Sequence, residues 1–143
     1  MSVTGTTTSL EKYLVYVYFL AQAKRRLFGL AANHGLTGMQ GLMLLMIDEP
    51  VPMQRFKSIF NCDASNVTGL ADGLEQKGYL VRYESEQDRR IKMLRLTDEG
   101  EELRLRFARE LMSDDTPVFS ALDSDEQDTL FKLFRKVLDH EDL

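Results

Sequence analysis

The stretch Asp63–Gly100, DASNVTGLADGLEQKGYLVRYESEQDRRIKMLRLTDEG, decides the fold. At about 100° per residue, Val67, Leu70, Ala71 and Leu74 fall on one side of a helix that Asp63 is placed to cap. Gly78 stands where a left-handed residue ends such a helix. A short strand follows over Tyr79 to Glu84, and the loop Ser85 to Arg90 crowds Glu86, Asp88, Arg89 and Arg90 into a tight tip. A second strand, Ile91 to Leu96, pairs back onto the first, and Thr97 opens another helix. The order is helix, strand, charged turn, strand, helix.

The far side of the first of these helices carries Ser65, Gly69, Asp72 and Gln76, flanked by Asn66 and Thr68. Asn can pair with adenine through two bonds, Ser and Thr can serve bases or phosphates, and a glycine lets backbone come close to a nucleic acid. Taken alone, the same face also suits a solvated helix whose Ser/Asn-rich first turn is favoured by capping. The turn Asp88 to Arg90 adds a second signal. A carboxylate two residues from a guanidinium can hold it in one orientation and so lower the entropy lost when that arginine enters a groove. A hairpin tip charged only for solubility is the alternative, and the helix preceding it favours nucleic-acid contact.

These residues carry a resemblance. The runs CDASNVTGLADGLEQKGYLVR and EQDRRIKMLRLTDEG resemble the winged helix-turn-helix of the MarR family of bacterial regulators. The S-N-V-T segment, the L-E-x-K-G helix end, the D-R-R turn and the L-T-x-x-G helix opening agree together, and the likeness extends over nearly all of the chain from Leu10. It implies a mainly α fold with a small β-hairpin wing: a winged helix-turn-helix over 37–97, flanked by dimerisation helices over 8–34 and 98–143. It implies a sequence-specific regulator of transcription, a repressor that occupies a pseudo-palindromic operator in double-stranded DNA as a homodimer. Expected DNA contacts are Arg55 and Lys57 on the supporting helix, Ser65, Asn66, Thr68 and Gly69 on the reading helix, and Asp88, Arg89 and Arg90 on the wing. The resemblance also implies a crevice for a small aromatic or anionic effector. Its candidate lining is Tyr13, Tyr16, Arg26, His34, Met39 and Met43, although Met and aromatic residues at such spacing also serve as core. One departure stands out: Gly73 takes a position where many relatives carry arginine, which removes an expected phosphate contact.

Length and charge bound the reading independently. A chain of 143 residues suits one domain, with long terminal helices that need a partner to cover them. Its 18 basic against 23 acidic residues exclude a protein that coats nucleic acid all over. Between Pro52 and Arg95, however, 8 basic residues face 6 acidic ones, so that segment is +2 and the remainder −7.

The frame is written in local signals. Met1 to Thr7 reads as disordered, and Thr8 with Glu11 forms a capping box for a long first helix. Leu10, Tyr13, Leu14, Val17, Ala21, Leu27, Phe28 and Ala31 recur at helical spacing until His34-Gly35, about 36 Å of helix. Thr37 and Gln40 form a second box for a helix running through Ile47, which Pro50 and Pro52 break. Met53 to Phe60 is the expected supporting helix, with Phe56, Ile59 and Phe60 inward. After the wing, Thr97 caps a helix carrying Leu103, Phe107 and Leu111, Pro117 interrupts it, and Asp123 with Glu126 starts the last helix.

Other functions find little support. His34 and His140 are the two histidines, and no nucleophile, acid or metal-ligand spacing surrounds either, so neither enzyme activity, cofactor nor metal is expected. The apolar run Leu14 to Ala21 is too short for a membrane span and is flanked by Lys12 and Lys24-Arg25-Arg26, which points to a cytoplasmic protein. The lone Cys62 admits a redox-switch reading, but no basic residue lies within three positions to activate it, and a small apolar filler between two helices is favoured. A winged helix that serves protein interaction without binding DNA is the remaining alternative.

Overall fold

The computed structural model describes residues 8–113 and 117–140; the reading of Met1 to Thr7 lies outside them. Helix α1, Ser9–Asn33, starts at the expected capping box: Glu11 N–H donates to the Thr8 hydroxyl at 3.2 Å and Thr8 N–H to the Glu11 carboxylate at 2.6 Å. It ends at Gly35, φ +71°, where the Gly35 and Leu36 amides bond back to Ala32 and Ala31. Such paired bonds satisfy carbonyls that the helix end would otherwise leave open, and only a residue free of Cβ strain adopts the turn cheaply.

Helix α2, Gly38–Met46, opens on the second box, with Thr37 N–H bonded to Gln40 Oε1 at 3.0 Å and Gln40 N–H to the Thr37 hydroxyl at 3.2 Å. Phe28 lies directly over Gly38, and a Cβ on Gly41 would stand 2.8 Å from that of Ala31 and 2.9 Å from Phe107. Two bare helix positions thus let α2 sit closely against α1. Met43 and Leu44 behind them are wholly buried.

The segment Pro50-Val51-Pro52 corrects the sequence reading. It is more than a break: Val51–Pro52 forms strand β1, antiparallel to β3, Lys92–Leu96, with Val51 opposite Leu94 and Pro52 opposite Met93. Strand β2, Leu80–Glu84, takes the other side of β3, so the order is β1-β3-β2 and the proline sits on an edge, where its missing N–H costs little. Helix α3 is also shorter than expected, Arg55–Ile59, and Ile59 is exposed while Phe56 alone is fully buried. Asn61 (φ +46°) turns the chain into helix α4, Ala64–Gln76. Asp63 occupies the cap position of α4 but makes no side-chain cap bond.

Val67, Ala71 and Leu74 of α4 are buried as expected, and Gly78, φ +80°, closes the helix with bonds from its own amide to Glu75 and from Tyr79 to Leu74. Thr97 caps α5, Asp98–Leu111, through Gly100 N–H at 3.0 Å, and donates its hydroxyl to Gly78 O at 2.6 Å. Leu103 and Phe107 then bind α5 into a core shared with Ala31, Met43, Leu74 and Leu94. A short helix α6, Pro117–Ser120, precedes α7, Ser124–His140, whose start is the predicted Asp123/Glu126 box.

The two ends of the chain leave apolar surface open. Among its described residues α7 buries none, and α1 buries only Ala31, with Leu10 66% and Tyr13 63% exposed. Phe19 meets Phe119 and Phe134 at ring separations of 6.5 and 6.0 Å, which joins α1 to α6 and α7.

Candidate nucleic-acid interface

The core stripe of α4 fixes which way its other face looks. With Val67, Ala71 and Leu74 turned inward, Ser65, Asn66 and Gly69 are exposed, and nothing lies within 4 Å of where a Gly69 Cβ would stand. Thr68 is half-buried and donates its hydroxyl to Ala64 O at 2.9 Å, so its proton is engaged within the helix and its oxygen lone pairs remain for a donor. Arg55 and Lys57 are both exposed on α3.

In the wing, the Asp88 carboxylate accepts three bonds at 3.0 Å, from Arg90 Nε, Arg90 Nη2 and the Arg90 backbone amide. The fork geometry fixes the plane of the guanidinium while leaving the Arg90 side chain 90% exposed. Those bonds, the side-chain ones foremost, hold the Asp88 carboxyl below the usual aspartate range. Arg89 is exposed next to the pair. The hairpin behind them is closed by Ser85 N–H to Ile91 O at 3.0 Å and Ile91 N–H to Asp88 O at 2.9 Å, with Lys92 and Glu84 paired at 2.9 Å.

Two features were missed by sequence reasoning. Arg82, in the middle of β2, bonds Glu75 through Nε at 3.3 Å and Nη2 at 2.9 Å and reaches Asp72 at 2.7 Å, so the wing is tied to α4 by one guanidinium. These hydrogen bonds hold the Glu75 carboxyl below its usual range. The available signal was alternation: Arg82 shares a strand face with buried Leu80, so its side chain had to turn toward the domain. The second concerns Gly73. A Cβ there would run into the Gln40 amide of α2, so the position begins its side chain against the domain, and the glycine makes room for that buried Gln40. Gly73 thereby lets α2 and α4 meet closely at Gln40.

The effector candidates fall into separate groups. His34 Nε2 lies 2.8 Å from the Glu110 carboxylate and Arg26 Nη2 donates to Glu110 O at 3.1 Å, so both meet α5 at one residue. Tyr13 and Tyr16 meet with tilted rings 6.1 Å apart on the exposed part of α1, about 15 Å or more along the helix from Arg26. Met39 is half-buried and Met43 fully buried in the core. Cys62 is half-buried between α3 and α4, with its amide bonded to Lys57 O at 3.2 Å.

The model of the MarR family matches residues 36–92, the span from the start of α2 into the wing. Over 78 residues the chain is 38% identical to the transcriptional repressor MprA of Escherichia coli K12, covering 52% of this chain and 42% of that protein. Over 103 residues it is 36% identical to YkoM, an uncharacterised HTH-type transcriptional regulator of Bacillus subtilis 168, covering 66% and 62%. Over this span the chain is similar to the MarR family. It spans less than two thirds of the length of either of those relatives. A variant of MarR from E. coli, solved in complex with operator DNA, shares the fold with a TM-score of 0.70 at 22% identity, over 91% of this chain and 94% of that one. The winged helix is thus α2 to β3 here, with α1, α5 and α7 as its surrounding frame.

Proposed function

We propose that this chain is a homodimeric, cytoplasmic, sequence-specific DNA-binding regulator that represses transcription by occupying a promoter and is not an enzyme. One observation carries the reading: a helix with Ser65, Asn66 and Gly69 exposed on one face stands beside a wing whose Arg90 is already oriented by Asp88. The helix offers groups that discriminate base edges, and the wing offers a cation suited to a narrow groove. The operator-bound E. coli relative of the same fold supports DNA as the target. Helices α1 and α7 supply the dimer contact, because their exposed Leu10, Leu14, Leu133 and Val137 form apolar faces that one chain leaves uncovered. Among the described residues no helix is long and apolar enough to cross a membrane. Release by a small aromatic or anionic ligand, bound between the dimer helices and the winged domain and altering the spacing of the two reading heads, belongs to the same reading.

Gel-shift titration and nuclease footprinting on DNA upstream of the coding sequence test this. A dimer should protect two half-sites about 34 to 36 Å apart, one helical turn centre to centre. No shifted species at protein concentrations up to about 10 µM, where even unspecific binders begin to associate, would remove DNA binding and leave the protein-interaction reading.

A further inference from the structure

We propose that Arg82 is a positioning residue for DNA reading, one that locks the wing to the reading helix so that base contacts and wing contacts arrive as a unit. The inference rests on the DNA-binding reading above and concerns a residue that need not touch DNA. Between α4 and β2 the chain is only Lys77, Gly78 and Tyr79, a turn whose backbone is bonded to Glu75, Leu74 and Thr97 but which lies at the base of the wing, far from its tip. Beyond buried Leu80, Arg82 grips the outer side of α4, reaching Glu75 through Nε and Nη2 and Asp72 through Nη2, two carboxylates one helical turn apart.

Geometry shows what the grip controls. Arg82 lies opposite Leu94 in the hairpin, and the tip bearing Asp88 and Arg90 extends roughly 15 Å further, at about 3.3 Å per residue. A tilt of about 10° at Arg82 therefore moves the tip by roughly 2 to 3 Å, more than a hydrogen bond tolerates. The same face of the hairpin holds only the Glu84–Lys92 pair beyond this point, which joins the two strands to each other and not to α4. Lysine cannot substitute, since an ammonium presents no planar fork for two carboxylates.

The wild-type chain first enriches a duplex from a random-sequence pool. Affinities for that duplex and for a scrambled one are then read by fluorescence anisotropy at fixed salt, beside the melting temperature. Arg82→Lys keeps the charge and should hold scrambled-duplex affinity within about twofold, while affinity for the enriched duplex falls about tenfold, the scale of one misaligned base contact. Asp72→Asn with Glu75→Gln cuts the tie from the other side and leaves Arg82 in place. Its preference should collapse likewise, with scrambled-duplex affinity equal to or above wild type because two negative charges are gone. If the ratio of the two affinities stays at the wild-type value in either variant while melting temperature falls, Arg82 is only structural and the proposal is overturned. A wild type that enriches no duplex instead removes the DNA-reading function itself.

Discussion

Replacing Gly69 by alanine sets stability against function at one atom. Gly69 is helical and exposed, and its added Cβ would meet nothing within 4 Å. Alanine there should stabilise α4 by about 0.5 to 1 kcal/mol through helix propensity, or roughly 2 to 4 °C in melting temperature for a chain this size. The same Cβ stands between Ser65 and Gln76 on the face proposed to approach DNA, so affinity for a preferred duplex should fall although the fold is firmer. Gly100→Ala provides the control with opposite sign. Its Cβ would overlap the Tyr79 carbonyl, backbone that is itself fixed by the Thr97 amide at 3.1 Å and by its own bond to Leu74. Overpacking of about 1 to 3 kcal/mol exceeds the propensity gain and should lower the melting temperature. Thermal unfolding of the three proteins and duplex titrations decide the matter. A Gly69→Ala protein that binds its duplex as tightly as wild type, or a Gly100→Ala protein more stable than wild type, refutes the reasoning.

Three further outcomes follow from the same geometry. Because Arg90 holds the Asp88 carboxyl below the usual range, the pair persists through ordinary carboxylate titration and is lost only as pH falls through that lowered value; carboxyl NMR of Asp88 should show a midpoint below that of a free aspartate, and an ordinary midpoint contradicts the pairing. Deleting residues 121–143 should expose the apolar face of α1 and give monomers or aggregates, whereas a soluble monomeric wild type by light scattering at micromolar concentration contradicts the dimer. Cys62→Ala should bind DNA and respond to mild peroxide as wild type does, with a small stability loss; peroxide release of wild type but not of the variant establishes a redox switch.

What was legible in the sequence was local. The three Thr or Asp boxes, the stop glycines Gly35 and Gly78, and the stripe of α4 each depend on residues three or four apart, and each is realised. The Asp88–Arg90 pair was readable for the same reason. Features that failed or were missed need partners far along the chain. Strand β1 is two residues long and exists only because β3, some forty residues later, pairs with it. Ile59 looked inward by spacing, yet α3 is a single short turn with too little length to bury more than Phe56. Gly73 acquires its meaning from Gln40, and Arg82 from a helix on the other side of a turn.

The most direct measurement of the central claim compares Asn66→Ala and Arg90→Ala on a preferred duplex and on random duplex at several salt concentrations. Asn66 is exposed in the first turns of α4, so its loss should cost about 1 to 3 kcal/mol on the preferred duplex, much less on random DNA, and relax one position in each half-site. Removing Arg90, exposed on the wing, should weaken both and flatten the slope of log K against log salt by roughly 0.9 for each phosphate no longer neutralised. Equal losses on both duplexes for Asn66→Ala, together with no loss for Arg90→Ala, would contradict the account of α4 as the reader and the wing as its anchor.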